Sequence, residues 1–216
     1  MLWIAFPLCL FPLAEQRVSS ALTGMLNGAT PLFTAAVAGL LTRSFPQRKI
    51  AIGLAVGFAG AVLMAVSGSG GAKGEWSGIV MILAALASYG VAFNLTGPLQ
   101  QRNGALPVIW RALGVGLILT APLGLRDVAA ANWKASSLLS LLALGAFGTG
   151  VAFVLFAVGA GRMGATRASA TTFLTPVVAL LLGVIVLHES VALLSVSGAA
   201  ICLGGAWLIR QARMAE

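Results

Sequence analysis

The stretch GMLNGATPLFTAAVAGLLTRSFPQRK, Gly24 to Lys49, places Pro31 in the middle of an apolar run and closes that run with Arg43, Arg48 and Lys49. Proline has no N–H to give the helical ladder and displaces the carbonyl four residues earlier, here that of Asn27. A run this apolar crosses a bilayer only as a helix, because hydrocarbon offers the backbone no other partner. A breaker at its centre therefore predicts a hinge, with the freed carbonyl facing polar side chains or a water-filled cavity.

The rest of the chain repeats the apolar theme. Of 216 residues, 59% are hydrophobic and 8% charged, and the mean hydropathy is +1.01, far outside the mix of a soluble domain. Eight apolar runs can be drawn, at 1–14, 18–41, 50–67, 77–97, 105–124, 137–159, 163–187 and 191–209. Runs of about 20 residues without strand-like alternation read as membrane helices and speak against a β-barrel. The chain is an all-α integral membrane protein with the lipid bilayer as its first partner.

The net charge of +8 does not point to nucleic acid, because the thirteen Lys and Arg are scattered among the breaks rather than gathered on one face. Arg43, Arg48, Lys49, Arg102, Arg162, Arg167, Arg210 and Arg213 fall in one alternating set of breaks; Arg17, Lys73, Arg126 and Lys134 fall in the other. The positive-inside rule then puts the first set, with the C-terminus, in the cytoplasm. Cys9 and Cys202 lie inside apolar runs, which argues for packing rather than a disulfide or a metal site. No basic segment precedes the first run, so no signal peptide is read there. SGSGGAKGE, Ser67 to Glu75, follows a span rather than a strand and reads as a linker, not a phosphate loop. No cofactor or metal is expected.

Sliding the sequence on itself by 145 residues aligns Thr30-Pro31 with Thr175-Pro176, Gly53 with Gly198, Gly60 with Gly205 and Arg17 with Arg162. Five spans separate the two copies, so they face opposite ways, the plan of many secondary transporters. The offset sets Met1 opposite Ala146, well inside the sixth run, and the first run covers only about 21 Å as a helix. The fold expected is an inverted-repeat transmembrane helix bundle, eight spans here of an inferred ten. Residues 1–66 would be the last three spans of a first repeat truncated at its N-terminus, 67–75 an inter-repeat linker, and 76–211 a complete second repeat of five spans.

Ser20, Thr23, Asn27, Thr30 and Thr34 follow helical spacing, as do Thr166, Ser169, Thr172 and Thr175. Each stripe runs beside a mid-span proline, Pro31 or Pro176. The two helices are read as hinged walls of a central substrate cavity; interhelical glue is the plainer account of such stripes. Tyr89 and Asn94 in the fourth run join the cavity candidates. Arg111, within the fifth run, could meet an anionic substrate group or snorkel to the interface. Gly53, Gly60, Gly198 and Gly205 allow close helix packing, as does the Gly24/Gly28 pair. His188-Glu189 at the end of the seventh run could couple protons or simply cap the helix.

LNGATPLFTAAVAGLL and SATTFLTPVVALLLGVIVLHES, each followed by a span with two glycines seven residues apart, resemble the EamA-type branch of the drug/metabolite transporter superfamily. The resemblance covers essentially the whole chain. It implies a ten-helix inner-membrane carrier, both termini cytoplasmic, that exports amino acids, other metabolites or toxic compounds. The acidic residue that closes the family's kinked helix stands here as Glu189 in the second copy and is replaced by Ser44 in the first.

The function expected is therefore a multi-pass permease that exports a small-molecule substrate by alternating access, with no enzymatic activity. The scarcity of charge within the spans favours a neutral, zwitterionic or amphipathic substrate. An intramembrane enzyme would need a nucleophile with its base, or metal ligands, and the chain has one His and neither HExxH nor GxSxG. The alternative is a non-transporting fragment or scaffold that needs a partner chain, whether a second copy in a homodimer or a different subunit.

Overall fold

The computed structural model describes residues 2–18, 20–68, 75–125, 134–175, 177–178, 181, 185 and 192–211. The helices are α1 (Ala5–Glu15), α2 (Ser20–Asn27), α3 (Thr30–Thr42), α4 (Arg48–Gly68), α5 (Trp76–Asn103), α6 (Ala105–Gly124), α7 (Ala135–Ala143), α8 (Ala152–Met163), α9 (Ala165–Ser169) and α10 (Leu193–Gln211). A π-helical segment, Leu144–Val151, joins α7 to α8, and a 3-10 turn, Ala170–Phe173, follows α9. Each apolar run carries at least one of these elements. Among the described residues, four helices are individually long and apolar enough to cross a membrane: Trp76–Asn103, Ala105–Pro122, Ala135–Met163 and Leu193–Gln211.

Helix α5 is the axis of the bundle. Its 28 residues span about 42 Å at 1.5 Å per residue, and it packs against α1, α3, α6 and α8. Ile82, Ala85 and Leu86 on it are wholly shielded. Helix α7, in contrast, buries none of its residues and presents Leu138, Leu139, Leu141 and Leu142 outward. In lipid such a face costs nothing, since acyl chains are as apolar as leucine.

Two turns are one residue long. Gly104 (φ +79°) links α5 to α6, and Gly164 (φ +85°) links α8 to α9. Their N–H groups donate to the carbonyls of Gln100 and Ala160. Positive φ is readily adopted only without a Cβ, and that lets these helix ends meet through a single residue.

Helices α4 and α10 cross in close contact. A Cβ on Gly53 would lie 2.9 Å from the Gly205 carbonyl oxygen, and one on Gly60 would lie 2.7 Å from that of Gly198. Between them the Cys202 thiol donates to the Gly57 carbonyl at 3.3 Å. Under the 145-residue offset Gly53 is equivalent to Gly198 and Gly60 to Gly205, so the contacts map onto themselves, the logic of a twofold interface within one chain. Phe173 completes the junction, its ring filling the space a side chain on Gly57 would take. The Gly24/Gly28 pair behaves differently, for nothing lies within 4 Å of a Cβ on Gly24.

The run that carries Pro31 is not one hinged helix but two, end to end. Helix α2 stops at Asn27, Gly28 and Ala29 form a turn, and α3 starts at Thr30 with Pro31 in its first turn. The first turn is where proline fits without loss, because the N–H it lacks has no partner there anyway. In the second copy, α9 gives way to a 3-10 turn that ends three residues before Pro176, which itself lies outside the described residues. So do His188, Glu189 and most of the 67–75 linker.

Candidate substrate cavity

The break at Gly28–Ala29 opens beside a cavity of about 470 Å³. Its polar wall is Thr23, Asn27 and Thr30 from the interrupted helix, with Thr172 from the 3-10 turn. Its aromatic wall is Trp3, Phe11, Tyr89, Phe93 and Phe153, and Glu15 stands at the end of α1.

The aromatic wall is a continuous set of ring contacts. Trp3 stacks on Phe153 with centroids 5.0 Å apart and meets Phe93 edge-on at 5.5 Å. Tyr89 stacks between Phe93 at 5.4 Å and Phe11 at 6.0 Å. Tyr89 and Phe93 are four residues apart on α5, one above the other on a single face. Phe153 and Phe156 follow the π-helical segment Leu144–Val151, where the wider turn shifts the phase of the helix; Phe156 meets Phe93 of α5, and Phe153 meets Trp3. The end of α1 is pinned to α5 by Ser88, whose hydroxyl donates to the Leu2 carbonyl at 2.6 Å.

The freed carbonyl at the proline is not bare. The Thr30 hydroxyl donates to the Asn27 carbonyl at 2.6 Å and lies 3.1 Å from the Asn27 side-chain oxygen. One turn on, the Thr34 hydroxyl donates to the Thr30 carbonyl at 2.9 Å, and the Asn94 amide reaches across from α5 to the Thr34 carbonyl at 2.9 Å and to the Gly90 carbonyl at 2.8 Å. A hydrogen-bonded ladder thus runs from the cavity into the α3–α5 seam. The helices are close there because Gly90 has no side chain; a Cβ on it would lie 2.9 Å from the Phe33 carbonyl oxygen. The Thr172 hydroxyl donates instead to the Ser169 carbonyl at 2.8 Å, and the Thr23 hydroxyl is buried and has no hydrogen-bond partner.

At the far end of the ladder lies a second cavity, about 540 Å³, lined by Asn94, Gln47, Gln101, Arg162 and Arg167 among others. The larger apolar groove between α3 and α4, about 690 Å³, has only Arg43 and Ser44 as polar lining.

Of the residues singled out from sequence, Thr23, Asn27, Thr30, Tyr89 and Thr172 share the first cavity. Four others lie elsewhere. Thr34 is wholly buried in the α3–α5 seam, because its hydroxyl turns back onto its own helix. Asn94 lines the second cavity, Arg111 is exposed on α6, and Thr175 is exposed beyond the 3-10 turn. The aromatic wall was missed, although Tyr89 and Phe93 at i, i+4 and Phe153 and Phe156 at i, i+3 carried its signal. Among the described residues no group of three His, Cys, Asp or Glu could hold a metal ion.

Comparison with known proteins adds the lineage. The profile of the EamA-like transporter family matches residues 76–211. The "Uncharacterized transporter YdfC" of Bacillus subtilis is 26% identical over 208 residues, covering 94% of this chain and 67% of its own. A "Probable terminal-alkyne amino-acid exporter" of Streptantibioticus cattleyicolor is 29% identical over 201 residues, 91% of this chain and 66% of its own. The chain thus spans about two thirds of the length of both relatives. A solved crystal structure superposes with a TM-score of 0.76 at 20% identity, over 93% of this chain and 70% of that one, a likeness in fold.

Proposed function

The chain belongs to the EamA-like transporter family, and on that premise we propose that it is a multi-pass inner-membrane secondary transporter that exports small amphipathic metabolites, amino acids or drugs by alternating access. It is a membrane transporter of small molecules rather than an enzyme. The central site of the proposed cycle is the cavity at the broken helix. The observation that carries this reading is the pair of cavities separated by the Thr30–Thr34–Asn94 ladder. Alternating access needs a site open to one side and a breakable seam before the other, and a seam bridged among the described residues by the Asn94 amide on the Thr34 carbonyl is cheap to remake.

The inverted-repeat plan of ten spans, eight of them in this chain, is supported by the self-mapping contacts of α4 and α10. Basic residues at the Arg102 and Arg162 ends support a cytoplasmic C-terminus. Because the chain spans two thirds of its relatives, a second reading stands beside the first: a unit that transports only when paired with a second copy or another chain.

Counterflow in proteoliposomes tests both. Pre-loaded vesicles that hold this chain should accumulate a labelled amphipathic substrate, and Asn27→Leu should reduce that uptake. Flux absent for this chain but present for a form with the additional N-terminal spans would favour the second reading. Flux absent from both would overturn the transporter assignment of this cavity.

A further inference from the structure

We propose that the cavity selects amphipathic cations: molecules with an aromatic or branched apolar body and one ammonium group, in preference to amino acids of the same body. This rests on the reading of that cavity as the substrate site and adds its charge preference.

Among the described lining residues Glu15 carries the one formal charge, and no described side chain pairs with it. Five aromatic side chains line the cavity; Tyr89 has both faces covered by Phe93 and Phe11, and a ring face left uncovered attracts a cation and disfavours a carboxylate through its negative quadrupole. Thr23 supplies a hydroxyl, buried and without a partner, that can accept an ammonium N–H. The Asn27 and Thr30 oxygens facing the break are acceptors or already committed donors. Among the described lining residues a carboxylate would find no cation. The nearest in sequence, Arg17, donates to Ser77 at 3.0 Å, Arg162 and Arg167 line the other cavity, and Arg111 is exposed on α6. An amino acid would therefore strip water from its carboxylate for neutral donors alone, the Thr23 and Tyr89 hydroxyls and the Asn27 amide, beside a Glu15 carboxylate that repels it, whereas the amine loses only the hydration that Glu15 and the cavity's acceptors replace.

Four probes with one phenyl body separate the possibilities: 2-phenylethylamine, L-phenylalanine, 2-phenylethanol and 3-phenylpropionate. Binding to the full chain in nanodiscs is read from the fluorescence of Trp3, with the other tryptophans replaced by Phe. The amine should bind about tenfold tighter than phenylalanine or the alcohol, the scale of one charge partner plus desolvated rings. Glu15→Gln, at an exposed position that leaves packing intact, should lose most of that preference and leave the alcohol unchanged. Phe11→Leu should weaken the amine more than the alcohol. Phenylalanine or phenylpropionate binding as tightly as the amine overturns the proposal, as does Glu15→Gln moving all four probes alike. Lipid partitioning cancels in the comparison with the variant.

Counterflow of the same probes keeps the two claims apart. Flux of phenylalanine without the amine leaves the transporter reading standing and removes this one. Tight, Glu15-dependent amine binding without flux of any probe does the reverse. Binding of none overturns both.

Discussion

The Thr30 hydroxyl, 2.6 Å from the Asn27 carbonyl oxygen, is what makes a proline tolerable at mid-membrane. Thr30→Val keeps the shape, removes the donor and leaves that carbonyl, on the half-buried Asn27, without its partner. It should cost about 1–3 kcal/mol, seen as a lower midpoint in thermal or SDS unfolding, and Thr30→Ser should restore it. Thr23→Val is expected to act in the opposite sense. Its hydroxyl is buried and unpartnered, so the apolar isostere should leave stability unchanged or raised while ligand affinity falls. A Thr23→Val protein that unfolds more readily than the parent would mean that this hydroxyl serves structure rather than ligand.

At the scale of elements, glycines divide by what surrounds them. A Cβ on Gly205 would run into the Gly57 backbone and come within 2.7 Å of the Gly53 carbonyl oxygen. Backbone atoms cannot swing aside, so Gly205→Ala should push α10 off α4 and destabilise the fold by about 1–3 kcal/mol. Gly24→Ala meets nothing within 4 Å and should gain about 0.5–1 kcal/mol of helix propensity. Its methyl group lines the cavity, however, so counterflow should slow although the protein melts higher. Measuring melting and flux on both variants separates packing glycines from cavity glycines. Equal destabilisation by the two would show that α2 packs more tightly than the free space around Gly24 indicates.

For the whole molecule, the question is which way the two cavities face. Cysteines introduced one at a time at Glu15 and at Arg162, in a chain with Cys9→Ser that keeps only the buried Cys202, should react with a membrane-impermeant maleimide from opposite sides. Arg162 should be reached from the cytoplasm and Glu15 from outside, as the positive-inside asymmetry requires. Labelling of both from one side would break the link between the basic breaks and the second cavity. Adding a ligand that fills the first cavity should protect the Glu15 position first.

Much of the architecture was legible from composition and period alone. In hydrocarbon every backbone group must be bonded within its own helix, so apolar run length translates directly into helix. The proline, unable to donate, marked the break between Asn27 and Thr30, and the polar residues at helical spacing named one wall of the cavity. What the sequence could not convey was direction. The Thr30 hydroxyl folds back to cap the end of α2, Thr34 turns into a seam, Asn94 bridges α5 to α3, and Arg111 faces out; each choice depends on which neighbour a helix face meets. The aromatic wall depended on tertiary structure for the same reason: Trp3 before α1, Phe93 on α5 and Phe153 on α8 come from segments far apart in the chain, and the π-helical turn before Phe153 sets its phase. One-dimensional pattern determines that a helix forms and which of its sides is polar; only packing against other helices decides what that side sees.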